Sequence, residues 1–167
     1  MLIMGIDPGP TETAACAIYE DYTIAAAWKL PNGEAAVLLR NWYAAHYVIE
    51  GMRGMGARVG KETFEAAYMV GRVSEIGERH GAAVTLYHRP EYLYPLCGGR
   101  PAKNKSDATL YKALLTRFGK DQLKPLVGTT DLRSAFAVAV WHLDKIRGGR
   151  DGHYQRRQCQ SEEGLHL

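Results

Sequence analysis

The sequence predicts an α/β domain, a mixed five-stranded sheet with helices on its faces. Three observations predict it. An apolar opening strand is followed by two more strand-like stretches separated by turn residues, which makes an antiparallel meander. Helical and strand-like segments then alternate, the pattern of a sheet covered by helices. At 167 residues, with 46% hydrophobic and 23% charged residues, the chain has the composition of a single globular core rather than of a disordered or collagen-like chain.

Residues 1–6 are an apolar run bounded by Asp7, Pro8 and Gly9, as expected of a central strand whose pairing stops where proline removes a donor. Residues 11–20 alternate around Thr13, Ala15, Ala17 and Tyr19, and Asp21 and Tyr22 turn the chain into a third strand ending at Leu30. Pro31, Asn32 and Gly33 break the pattern. A helix is expected over 34–46, with Val37, Leu38, Trp42 and Ala45 at helical spacing and Asn32 as N-cap. A fourth strand over 46–50 ends on Glu50, ahead of a Gly-rich loop. The segment 61–81 carries Phe64, Ala67, Tyr68 and Gly71 on one helical face, which places these aromatics, with Trp42, in the core; Gly81 caps the end. A fifth strand over 82–88, a short helical turn with a loop to 99, a basic connection over 100–106 and a helix over 107–119 follow, the last capped by Ser106 or Asp107. An Ala-rich buried helix over 129–146, opened by Thr130 or Asp131, completes a domain of residues 1–147. Residues 148–167 lack periodicity and read as a flexible C-terminal tail.

Charge is unevenly spread. Residues 1–50 hold two Lys/Arg against six Asp/Glu, residues 51–125 thirteen against seven, and residues 126–167 six against five. The basic middle suits either a solvated face or a polyanionic partner. Cys16, Cys97 and Cys159 stand far apart without ligand spacing, which argues against structural zinc and for a reducing, cytoplasmic setting. No apolar window reaches the length of a membrane span, and no signal-peptide pattern opens the chain.

Three acids stand at the ends of hydrophobic elements: Asp7, Glu50 and Asp131. Singly, an Asp before Pro-Gly is an ordinary turn residue, Glu50 a strand-end charge and Asp131 a helix cap. Jointly they fall on elements that such a fold brings to one edge. Carboxylates that close disfavour each other's ionised form unless a cation neutralises them. Their oxygens suit Mg²⁺, with Mn²⁺ as a substitute, and two ions about 4 Å apart can activate a water and stabilise the leaving oxygen of a phosphodiester. The chemistry expected is metal-dependent hydrolysis of a nucleic-acid backbone.

The stretch LIMGIDPGPT resembles the opening of RuvC-type Holliday junction resolvases, VIEGM their second acidic strand, and DLRSAFAVAVWHL their final acidic helix. PLCGGRPAKNKSDATLYKALLTRFG looks like the bacteriophage members, and the resemblance spans roughly residues 1–145. It implies the ribonuclease H-like fold and a homodimeric, Mg²⁺-dependent endonuclease with two ions per site. Such an enzyme resolves four-way (Holliday) or other branched DNA by paired nicks, in recombination or phage DNA processing within a bacterial cytoplasm. Asp7, Glu50 and Asp131 match three metal-binding acids. The family's fourth acid is replaced by Ser134, one turn after Asp131 on the same face, which would complete the metal set weakly or through water. Asp107 is a candidate source of the missing charge. Lys103 falls where the family has a basic residue near the scissile phosphate, able to stabilise developing charge. Arg100 and Lys105 look like phosphate contacts, and Arg53, Arg58 and Lys61 like DNA contacts from the loop after Glu50. Met52 or Met55 could wedge between bases. His142, roughly 16 Å along the helix from Asp131, is expected at the surface or an interface.

Ser134 also motivates a different function, a catalytically weak or inactive branched-DNA-binding protein that retains the nuclease fold. An ATP-binding protein of the actin and sugar-kinase type needs two such domains, which 167 residues cannot hold.

Overall fold

The computed structural model describes residues 1–52, 60–102 and 104–150. Strands β1 (Leu2–Pro8), β2 (Glu12–Tyr19), β3 (Ile24–Pro31), β4 (His46–Gly51) and β5 (Ala83–His88) form one sheet in the order β3-β2-β1-β4-β5. The first three make the expected antiparallel meander, while β4 runs parallel to β1 and β5 parallel to β4. The helices are α1 (Asn32–Leu39), α2 (Lys61–Arg79), α3 (Arg89–Leu96), α4 (Ser106–Gln122) and α5 (Thr130–Arg150). The expected mixed five-stranded α/β architecture is what the chain adopts. No helix among the described residues is long and apolar enough to cross a membrane.

Side chains alternate along each strand, so the sheet carries two cores. On one face Ile3, Cys16, Ile18, Val48 and Tyr87 pack with Ala135, Phe136 and Ala139 of α5 and with Leu93 and Leu110 of α3 and α4. On the other, Met4, Ile6, Tyr47 and Ile49 pack with Leu39 of α1 and Met69, Val73 and Ile76 of α2. By the same alternation Asp7 shares the face of Ile3, and Glu50 that of Val48. Both acids therefore stand on the α5 side.

How close α5 lies is set by Gly5. A Cβ there would stand 2.0 Å from the Ala135 carbonyl oxygen and 2.8 Å from the Ala139 Cβ. Only a residue without a side chain permits that approach, and the small residues of α5 complete it.

Several local expectations are corrected. Helix α1 stops at Leu39 and begins at Asn32, whose side chain is occupied elsewhere and caps nothing. On α2 the buried stripe is Ala66, Met69, Val73 and Ile76, whereas Phe64 and Tyr68 are 67% and 77% exposed. Periodicity gives a helix its spacing but not its phase. Here the phase is fixed by Gly77, where a Cβ would meet Val84 at 2.9 Å and Tyr47 at 3.0 Å. Trp42 is partly buried against that same core. The start of α5 is capped by Thr129, whose hydroxyl accepts the Leu132 N–H at 3.1 Å, and α4 begins without a side-chain cap. Helix α5 continues to Arg150, past the expected start of the tail at residue 148; residues 151–167 lie outside the described ones.

His142 is buried, not superficial. Its Nδ1 meets the Tyr87 hydroxyl at 3.2 Å and its Nε2 meets His46 Nδ1 at 3.1 Å, which ties α5 to β5 and β4. Burial, then His46 and Lys145, lower its pKa to about 4, so the ring is neutral near pH 7.

Gly5→Ala is expected to cost about 3 kcal/mol, because the contact it meets is backbone and cannot swing away. Gly33→Ala, where nothing lies within 4 Å of an added Cβ, serves as the control and should be neutral or stabilising by up to about 1 kcal/mol. Urea unfolding midpoints of the two variants check this.

Candidate active site

The register of β1 on β4 places Ile6 beside Ile49, so Asp7 and Glu50 follow as neighbours at the ends of adjacent parallel strands. The turn after Asp7 is held firmly. The Gly9 N–H bonds to the Glu12 carbonyl at 2.9 Å, and a Cβ on Gly9 would meet that oxygen at 2.7 Å. From α1, the Asn32 amide donates to the carbonyls of Gly9 and Pro10, each at 3.1 Å, while its oxygen accepts the Thr13 hydroxyl at 2.7 Å. Asp131 lies in the first turn of α5, where the helix dipole favours an anion. Lys29 of β3 reaches it at 2.9 Å and also pairs with Glu12 at 3.0 Å.

Glu50 is held from α3. The Tyr92 hydroxyl donates to Glu50 Oε2 at 2.7 Å, and Arg89 Nη1 approaches Oε1 at 3.4 Å. Burial and the Glu50 charge push the Tyr92 phenol far above its usual pKa, so it remains a donor. The same Arg89 Nη1 donates to Ser134 Oγ at 3.0 Å, and Nη2 binds Asp107 Oδ1. One guanidinium thus joins β4, α4 and α5. It stands at the first residue of α3, where Pro90 favours the helical start.

Asp7 is where these charges converge. Burial first, then Glu50 and Asp131, outweigh the opposing pull of Arg89 and Lys29 and raise its pKa to about 8. Near pH 7 that carboxyl keeps a proton, and a hard divalent cation is the natural replacement for it. The oxygen-rich donor set of Asp7, Glu50 and Asp131 fits such an ion chemically. As placed, no three His, Cys, Asp or Glu among the described residues converge on one point. Lys29 pairs with Asp131, and Arg89 with Tyr92 engages Glu50. Beside the acids opens a cleft of about 1040 Å³ whose lining includes Asp7, Glu50, Met52, Arg89 and Arg100.

The structure therefore brings Asp7, Glu50, Asp131 and Ser134 to one edge of the sheet, with Asp107 engaged on Arg89. Arg100 and Met52 line the cleft. Lys105 is exposed at the start of α4, and Lys61 is exposed at the start of α2, paired with Glu65 at 3.5 Å. Lys103, Arg53, Arg58 and Met55 lie outside the described residues. Sequence reasoning missed Arg89, Tyr92 and Lys29, and read Asn32 only as a helix cap. An Arg-Pro step after a strand was the sole signal for the first of these, and it marks a helix start rather than a partner.

Folding raises the Asp7 pKa from 3.8 to about 8, so between those values the folded state holds a proton that the unfolded state has released. Its contribution to stability is full below the lower value and is lost as pH rises through the window. Metal-free Asp7→Asn should therefore melt higher than metal-free wild type at pH 8, the gap closing toward pH 4. Thermal melts in chelator across that range check it.

No family model matches the chain, and no curated protein matches it in sequence. Solved structures do match in fold. The Thermus thermophilus RuvC structure superposes with a TM-score of 0.70 at 17% identity, over 89% of this chain and 97% of that one. T. thermophilus RuvC in complex with a Holliday junction substrate gives 0.69 at 18% identity, over 89% and 96%. The fowlpox virus Holliday junction resolvase gives 0.61 at 12% identity, over 87% and 99%. With its meander, its parallel fourth and fifth strands and its closing helix across β1, the chain has the ribonuclease H-like fold of the RuvC-type resolvases.

Proposed function

We propose that this chain is a divalent-metal-dependent, structure-selective DNA endonuclease that nicks four-way or otherwise branched DNA in pairs, as a homodimer. One observation carries the reading: Asp7, Glu50 and Asp131, from three separated segments, stand near enough at one sheet edge to act on one another's charge, with Asp7 and Glu50 lining an open cleft. Mg²⁺, or Mn²⁺ in its place, would be held by these carboxylates and would lower the pKa of a water and polarise a phosphoryl oxygen. The protein's part is to fix the oxygens. Asp7 is fixed by a strand end and the Asn32-held turn, Glu50 by Tyr92 and Arg89, and Asp131 by the first turn of α5 and Lys29. Ser134 contributes a neutral oxygen beside them.

DNA enters along the cleft, where Arg100 offers a phosphate contact, with Lys105 near its rim. Lys103 is assigned to the scissile phosphate, and Arg53, Arg58 and Lys61 to the arms of a junction, on the strength of the sequence pattern. Contacts of this kind bring affinity without sequence choice. Phe64 and Tyr68, exposed four residues apart on α2, support a second copy as occupant of that face. The resemblance to bacteriophage members supports a role in phage DNA processing in a bacterial host.

A second reading, junction binding with weak or no cleavage, is favoured by the neutral Ser134 and by the two cations already paired with Glu50 and Asp131. A synthetic four-way junction with Mg²⁺ separates the two. Wild type is expected to nick it, and Asp7→Asn to lose at least about 100-fold in rate, more than residues behind a metal ligand usually cost. Junction binding by that variant should be retained. Binding without nicking, unchanged by Ser134→Asp, selects the second reading. Light scattering should give a dimer mass for wild type and a monomer mass for Phe64→Glu/Tyr68→Glu.

A further inference from the structure

The Arg89 guanidinium is set among side chains from four elements. It contacts Glu50 of β4, Tyr92 of α3, Asp107 of α4 and Ser134 of α5, and it is itself about one-third exposed, toward the cleft. Ser134 is 2% exposed, so its hydroxyl is committed to this contact and not to solvent. A hydroxyl is a good acceptor for a guanidinium N–H but a poor ligand for a hard dication, which prefers charged oxygens. Glu50 and Asp107, the acids that flank this position, already face the guanidinium's fixed positive charge. A dication placed here would meet that charge, and Asp131, the acid one turn before Ser134 on α5, is already paired with Lys29 at 2.9 Å.

We propose that Arg89 stands where a second divalent cation would otherwise be held, so that the site takes one divalent ion per chain, on the side of Asp7. This rests on the metal-dependent reading above and replaces the two ions per site that the resemblance implies. The substitution is coherent at the level of chemistry. Arg supplies a permanent positive charge and N–H donors suited to phosphate oxygens, but it cannot ligate and acidify a water. Charge neutralisation is thereby divided from water activation. Ser134 then ceases to look like a lost ligand. It is the neutral acceptor that a guanidinium requires, and Asp107 is the counter-charge on its other side.

The full-length chain titrated with Mn²⁺, alone and on a four-way junction with non-cleavable backbone linkages, and followed by electron paramagnetic resonance, tests this. Wild type is expected to bind one tight ion per chain with the spectrum of an isolated Mn²⁺. Arg89→Gln/Ser134→Asp, which removes the cation and adds a carboxylate, should bind two with a spin-coupled spectrum. Two tight or spin-coupled ions in wild type overturn the proposal, as does no tight ion at all or a folded double variant that stays at one. Where circular dichroism shows the double variant unfolded, the wild-type count decides alone. Nicking of a cleavable junction is read in parallel. One bound ion without nicking supports the cation count while removing the nuclease reading.

Discussion

The contact between Gly5 and the backbone of Ala135 is the constraint from which the rest of the molecule follows. It fixes where α5 crosses the sheet, and both catalytic candidates on those elements are measured from it. Asp7 lies two residues further along the same strand face, about 6.6 Å on, and Asp131 lies four residues back along the helix, about 6 Å away. The similar advances bring a carboxylate on a strand and a carboxylate on a helix to the same edge. A bulkier residue at position 5 would separate the layers and the acids together.

Around that edge the protein balances anions with its own cations. Lys29 serves Asp131 and Glu12, and Arg89 serves Glu50 and Asp107. The balance is incomplete at Asp7, which burial and two neighbouring carboxylates leave reluctant to ionise. Such local discomfort inside an otherwise well-packed domain marks a place shaped for something other than stability. The surroundings bear it because Asn32, Gly9 and Glu12 fasten the adjoining turn.

Much of this was legible in the sequence, and the failures share a cause. The meander, the alternation of helix and strand after it, and the placing of Asp7, Glu50 and Asp131 at the ends of elements followed from short-range pattern, since two of these acids close an apolar strand and the third opens an apolar helix. The phase of α2 did not follow, because Phe64 and Tyr68 are as periodic as Met69 and Val73, and only the close fit of Gly77 on Tyr47 and Val84 chooses between them. Asp107 and Asn32 were read as helix caps, the commonest use of such residues at helix starts. In the fold each has a distant partner instead: Arg89 for one, the Gly9 and Pro10 carbonyls for the other. Tyr92 carries no local signature, and that of Arg89, a step into Pro90, marks a helix start and not its partners. Pairings across tens of residues are decided by the sheet and helix packing, which a linear reading does not contain.

Helix α5 is the last described element of the chain, and it delivers Asp131 and Ser134 to acids that were laid down at the beginning and middle. A chain still emerging from the ribosome holds Asp7 and Glu50 without their third partner. Sites built from such widely separated segments form late, after long loops have closed. In the proposed nuclease, incomplete or truncated copies would carry the fold's first strands and none of its chemistry. The order of elements along the chain thus decides that the edge of the sheet is completed last.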